Sequence, residues 1–195
     1  VQRSDARALA GALLILTGAA AIAAALGGYL KSPIWQAVHA EEVVPPDLGL
    51  APATAPRVQD GSPIARLRIP LIQLDVAVLE GTRPEDLLKA PGHLAGTGLP
   101  GEPRNIILAG HRDLHFRRLG SLKAGDRIEL QAGGRSRAYQ VQWSRVVRPT
   151  ETSVLAPGDR EALTLVTCYP FHYVGAAPRR YIVRAFPVDA VVRNP

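Results

Sequence analysis

Cysteine occurs once in the 195 residues, at Cys168. A single thiol excludes an intramolecular disulfide and a cysteine-rich zinc site. Lysine is scarce as well, at positions 31, 89 and 123 only, so the basic charge is almost wholly arginine. There is no internal repeat, and no charged side chain occurs between residues 8 and 30. Hydrophobic residues make up 47% of the chain and charged residues 21%. That balance allows a packed core and excludes wholesale disorder.

The uncharged run over residues 8–30 is the first positive feature. As a helix rising about 1.5 Å per residue it reaches roughly 35 Å, enough to cross a bilayer core of about 30 Å. Arg3 and Arg7 precede the run, and Lys31 is soon followed by Glu41, Glu42 and Asp47. The positive-inside bias therefore predicts a cytoplasmic N-terminus and an extracytoplasmic bulk. Val38-His39-Ala40 resembles the cleavage site of a secretory signal, but the run is long for a signal and the site lies well beyond it. An uncleaved single-pass anchor in the cell membrane is the expectation. Pro45, Pro46, Pro52 and Pro56 then break any period, which predicts a semi-extended linker. The expected organisation is a stub and anchor over 1–31, a Pro/Ala-rich linker over 32–61, a domain over 62–190 and a tail over 191–195.

The charge is uneven. Residues 1–60 carry four basic and five acidic side chains, and the remainder carries 19 basic against 12 acidic. A basic domain suits an anionic envelope surface. Nucleic acid is not expected, because no binding motif is present and the topology removes the domain from it.

From residue 62 onward the pattern is one of short strands. Alternation or apolar runs predict them at 64–69, 74–79, 105–109, 126–131, 138–143 with a continuation toward Val147, 163–167 and 181–186. A short helix is predicted over 84–89, with proline and acids in its first turn, and a single turn over 116–119. Many short strands punctuated by Gly and Pro, with few helices, predict a mainly β, closed or nearly closed barrel.

Three segments carry residues suited to chemistry. Thr164-Leu-Val-Thr-Cys168-Tyr-Pro170 delivers the thiol to the end of a strand. A cysteine placed there is either a partly exposed nucleophile or a small buried hydrophobe. Ile106-Ile-Leu-Ala-Gly-His111-Arg-Asp113 repeats the architecture, with a glycine before a histidine at the mouth of the sheet; imidazole exchanges protons near neutral pH. Arg179-Arg180-Tyr-Ile-Val183 opens a strand twelve residues past the cysteine. Joined to Cys168 by the loop from Pro170 to Pro178, it can set a guanidinium beside the thiol. Alternation lets only one of the two arginines face Cys168. His93, His115 and His172 are other candidate bases. Asp113 either orients His111 or offsets Arg112, and Thr167 either contacts substrate or is simply a β-branched strand residue.

Thr-Leu-Val-Thr-Cys-Tyr-Pro-Phe, Ala-Gly-His-Arg-Asp and Ala-Pro-Arg-Arg-Tyr-Ile-Val together resemble the signatures of the sortase family, in a form similar to its class D branch. The opening Ile64-Ala-Arg-Leu-Arg-Ile-Pro and the segment Pro91-Gly92-His93 to Gly101-Glu102-Pro103 resemble the family in the same order, so the likeness covers about residues 62–187. The resemblance implies an eight-stranded sortase-type barrel and a cysteine transpeptidase. Such an enzyme cleaves a C-terminal sorting motif of exported proteins through a thioester. It then passes the acyl group to an amine of a cell-wall precursor or a pilin lysine.

Carried onto this chain, the resemblance implies Cys168 as nucleophile, His111 as proton donor and acceptor, and Arg180 as the oxyanion-stabilising or substrate-positioning group. It implies no cofactor and no metal. The alternatives are another envelope cysteine acyl-transfer enzyme resembling an L,D-transpeptidase, and a non-catalytic membrane-tethered β-barrel binding module. The first places its histidine and glycine close before the cysteine, which this chain does not. The second does not require His111 and Cys168 to be close.

Overall fold

The computed structural model describes residues 12–23, 58–173 and 175–188. Eight strands close into one barrel: β1 (Pro63–Ile69), β2 (Leu74–Glu80), β3 (Gly92–His93), β4 (Asn105–Gly110), β5 (Arg127–Ala132), β6 (Arg135–Val147), β7 (Ala162–Tyr169) and β8 (Arg179–Pro187). Around the barrel the order is β1-β2-β3-β4-β7-β8-β6-β5, and β5 returns to pair with β1. Among the described residues, closure leaves no strand of the barrel without a neighbour on both sides.

Side chains alternate between a filled interior and an outer surface, as the period of two demands. Leu67, Ile106, Leu108, Ile128, Leu130, Leu163, Leu165 and Val183 fill the inside. On the outside of β1, Arg66 and Arg68 meet Asp75 across β2, and Arg68 also faces Glu129 across β5. A polar cluster enters the core at one place. The Tyr139 hydroxyl, fully buried, donates to Glu161 Oε1 at 2.6 Å, while Arg137 Nη2 lies 2.6 Å from Glu161 Oε2. Burial and that hydrogen bond push the Tyr139 phenol above its ordinary pKa.

The pattern-based strands match seven of the eight. The exception is β3, two residues long, pairing parallel to β2 and antiparallel to β4. Two residues are too few to show a period. β7 runs on through Cys168 to Tyr169 and β8 begins at Arg179, because these residues pair with one another. β6 is a single 13-residue strand, irregular between Val141 and Trp143. The helix expected over 84–89 forms only as Pro84–Leu87, and the turn expected over 116–119 is a 3-10 turn at Leu119–Ser121. Further 3-10 turns occur at Pro70–Ile72 and Thr152–Leu155.

Residues 12–23 are helical, with Leu14 and Ile15 each 73% exposed. Among the described residues no helix is long and apolar enough to cross a membrane. The remainder of the run over 8–30, nearly all of the linker expected over 32–61, and the tail over 191–195 lie outside the described residues.

Candidate active site

Three neighbouring strands, β4, β7 and β8, bring the candidate residues to one rim of the barrel. β4 and β7 are parallel and in register through Gly110 and Thr167, so both end at the same rim. The next residues are His111, just past the end of β4, and Cys168, still within β7. β8 runs antiparallel to β7, and Cys168 pairs directly with Arg180. Directly paired residues project from the same face of a sheet. Arg180 thus shares the face of the thiol, whereas Arg179 pairs with Tyr169 and belongs to the other face.

That shared face is the outside of the barrel. Leu163 and Leu165 belong to the core, so Thr164, Val166 and Cys168 point outward; on β8, Val183 and Ala185 point inward and Arg180, Ile182 and Arg184 outward. Nevertheless Asn105, Ile107, Thr164 and Ile182 on this outer face are buried. The connection between β6 and β7 lies over them. Asn105 Nδ2 donates to Leu155 O at 3.4 Å, and Arg184 Nη2 donates to Val154 O at 2.6 Å. The result is a groove whose floor is β4, β7 and β8. Its far end is closed by residues 152–156, and Ala109, Val166, Cys168, His111 and Arg180 are partly exposed toward its open end.

The rim is held by several devices. Buried Thr167 donates through Oγ1 to the Gly110 carbonyl at 2.7 Å, pinning the cysteine strand to the histidine strand. Its β-branched side chain thus serves the barrel wall and not the groove. Gly110 has no room for a Cβ, which would lie 2.7 Å from the Phe116 ring. Inside the rim, Tyr169, Phe171 and Tyr181 form an aromatic plug, with centroids 5.3 to 6.1 Å apart. Arg180 Nη1 donates to Ala177 O at 3.2 Å and Arg179 O at 3.1 Å, which anchors one end of the guanidinium.

Arg112 is the residue that sequence reasoning passed over. It donates to the carbonyls of Pro170 (3.2 Å), Tyr173 (2.7 Å) and Gly175 (3.0 Å), and its guanidinium carbon lies 5.5 Å from the Tyr173 ring centroid. It ties the residue after His111 to the segment that follows Cys168. No signal in the sequence marks this role, because the acceptors are backbone carbonyls some 58 to 63 residues away. Asp113 is exposed.

The other histidines separate by environment. His93 is buried, with Nδ1 2.7 Å from Glu80 Oε2 and Nε2 2.9 Å from Thr97 Oγ1. Both nitrogens are engaged in the wall, and it is removed from the candidate bases. His172 is exposed on the segment after β7. His115 lies near His111; burial pushes it down to about 4, against a hydrogen bond to the Lys89 backbone and with the charge of His111 adding to the depression. It is neutral at neutral pH.

This depression has a stability consequence. Between about pH 6.5 and pH 4 the unfolded chain protonates His115 and the folded chain does not. Stability is therefore expected to fall as pH drops through that window, by ~3 kcal/mol at its lower end. Urea denaturation at pH 7 and pH 4 checks it. His115→Gln should remove this part of the loss, and an unchanged pH slope in that variant would show that the ring is not held neutral.

The fold and these motifs agree with known proteins. The sortase domain family model matches residues 67–188. Sortase D of Bacillus subtilis (strain 168) is 41% identical over 118 residues, which covers 60% of this chain and 60% of that protein. The chain thus spans less than two thirds of that relative's length. Among solved structures, a Clostridium perfringens Sortase D5 transpeptidase superposes with a TM-score of 0.62 at 30% identity, over 68% of this chain and 82% of that one. A C. perfringens sortase C, solved with a C-terminal cell wall sorting motif, superposes with a TM-score of 0.62 at 32% identity, over 69% and 75% of the two chains.

Proposed function

Because this chain belongs to the sortase family and is class D-like, we propose that it is a cysteine transpeptidase acting on exported proteins that carry a C-terminal sorting motif. The observation that supports the reading is the pairing of Cys168 with Arg180, beside the Gly110–Thr167 register that brings the strand before His111 to the same rim. A binding module has no need of a thiol and a guanidinium on one face with a histidine following the neighbouring strand at the same rim. The L,D-transpeptidase alternative falls with the family match.

In this reading the Cys168 thiolate attacks the carbonyl of a threonine in the motif. The developing oxyanion is met by the planar, permanently charged donors of Arg180. The C–N bond breaks as His111 gives its proton to the departing amine, and a thioester remains on Sγ. An incoming amine, from a cell-wall precursor or a pilin lysine, loses a proton to His111 and attacks that thioester, so that an amide forms and the thiolate returns. No cofactor enters either step. The groove's closed end favours an extended acyl donor and limits water, which favours transfer over hydrolysis.

The chain is further proposed to be tethered to the cell membrane by the uncharged run over 8–30, with its N-terminus cytoplasmic and the barrel outside. A reporter fused after Pro195 is expected to be active only if it is of a type that works when exported. Activity of a cytoplasmic-only reporter there reverses the orientation.

The activity is tested by incubating the protein with a threonine-containing sorting peptide and following intact mass. A gain equal to the acyl fragment is expected, followed by its discharge as a hydroxamate when hydroxylamine is added. If no peptide of a threonine-centred library adds its acyl fragment, the reading fails.

A further inference from the structure

The connection between Cys168 and Arg180 is gathered around a single guanidinium. Arg112, the residue after His111, donates through Nη2 to the carbonyls of Tyr173 at 2.7 Å and Gly175 at 3.0 Å, and through Nη1 to that of Pro170 at 3.2 Å. The Tyr173 ring lies beside the same group, its centroid 5.5 Å from the guanidinium carbon. Carbonyl dipoles aimed at one point repel one another, and a cation among them offsets that repulsion. The path of this connection therefore depends on Arg112.

The far end of the same connection is held by Arg180, whose Nη1 donates to the Ala177 carbonyl at 3.2 Å and to the Arg179 carbonyl at 3.1 Å. Ala176, Ala177, Pro178 and Arg179 stand between Gly175 and Arg180. The ring of Pro178 fixes its own φ, and Ala177 before it is restricted to extended conformations. Arg179 is already paired with Tyr169 in the sheet. A shift at Gly175 is thus passed on to Ala177, with little absorbed on the way.

Strand pairing sets Arg180 on the face of Cys168, but it fixes the backbone only. The fork itself hangs on a long, rotatable stem, and what it donates to decides where it sits. Its printed partner outside β8 is Ala177 O. A donor for an oxyanion acts only when aimed at the place where the charge develops, and a misplacement of about 1 Å can cost ~10²-fold in rate.

We infer that Arg112 is a positioning residue of the acylation step: by holding the carbonyls of Pro170, Tyr173 and Gly175 it fixes that of Ala177, and through it the fork of Arg180. The inference rests on the transpeptidase reading above and on the part Arg180 plays in it. It gives Arg112 a task separate from the proton transfers of His111 and from contact with substrate.

The test uses the full chain in detergent with a saturating threonine-containing sorting peptide, and compares the parent with Arg112→Ala, Arg112→Lys, Arg180→Ala and the double alanine variant. Single-turnover acylation is followed by intact mass, which separates the fraction of enzyme that reacts from its rate constant. Arg112→Ala is expected to react completely, with a rate constant lower by about 10²-fold. Arg112→Lys should fall between it and the parent, because an ammonium keeps the charge but not the planar fork. The double variant is the readout that a merely structural role would not move. Acting through Arg180, the loss of Arg112 should cost no more than about two-fold once Arg180 is already alanine, the margin within which independent effects add. An equal cost in both backgrounds overturns the inference, as does an Arg112→Ala enzyme that acylates at the parent's rate. Should Arg112→Ala not fold, Arg112→Lys with and without Arg180→Ala decides by the same comparison. No acylation of the parent by any peptide overturns the transpeptidase reading itself, and the positioning role with it.

Discussion

Cys168→Ala is expected to abolish thioester formation and amine transfer together, with a loss of at least ~10⁴-fold, the scale of removing a covalent nucleophile. The barrel should remain folded. Cys168 lies on the outer face of β7 and is only partly buried, so its sulfur is not part of the hydrophobic interior. Surface-directed substitutions of that kind cost about 0.5 kcal/mol or less. Intact mass after exposure to a sorting peptide, together with a thermal melt, separates the two effects. Residual turnover in a folded alanine variant would place the nucleophile elsewhere. Loss of the melt would mean that the thiol had been a packing residue.

The second large effect distinguishes two adjacent arginines. Arg180→Ala should lower single-turnover acylation by roughly 10²- to 10³-fold, the cost of losing an oxyanion donor. Arg180→Lys should restore little, because an ammonium keeps the charge but not the planar fork. Arg179→Ala should stay within a few-fold of the parent. The register explains the contrast: Arg180 pairs with Cys168 and Arg179 with Tyr169, and successive residues of a strand project to opposite faces. Arg180 is also anchored by the carbonyls of Ala177 and Arg179, which limits the entropy lost when it meets a substrate. A crippled Arg179→Ala beside an active Arg180→Ala would shift the functional register of β8 by one residue.

Local pattern was sufficient for seven strands, because each has enough residues to show either alternation or an apolar run, and most end at a Gly or Pro that stops them. The motif that ends at Cys168, the Gly-His segment and the paired arginines were equally legible, since each is written in a few contiguous residues. β3 was not. Its two residues pair because β2 and β4 hold them in place, and no local preference encodes that.

Strand alternation alone left open which arginine faces the thiol, and it was the family resemblance that pointed to Arg180. Pairing across β7 puts Arg180 on the face of Cys168. The competing histidines were likewise separated by surroundings and not by their neighbours in sequence. His93 is consumed by Glu80 and Thr97, and His115 is held neutral by burial. Arg112 and Arg184 read as ordinary surface charges until the fold set one against the carbonyls after Cys168 and the other beneath Val154. The sequence by itself determined the residue types that can do acyl transfer and the strands that carry them, because both follow from short-range pattern and chemistry. Only the tertiary structure decided which of those residues share a face, a groove end or a hydrogen bond, because pairing register couples positions such as Gly110 and Thr167 that lie 57 residues apart.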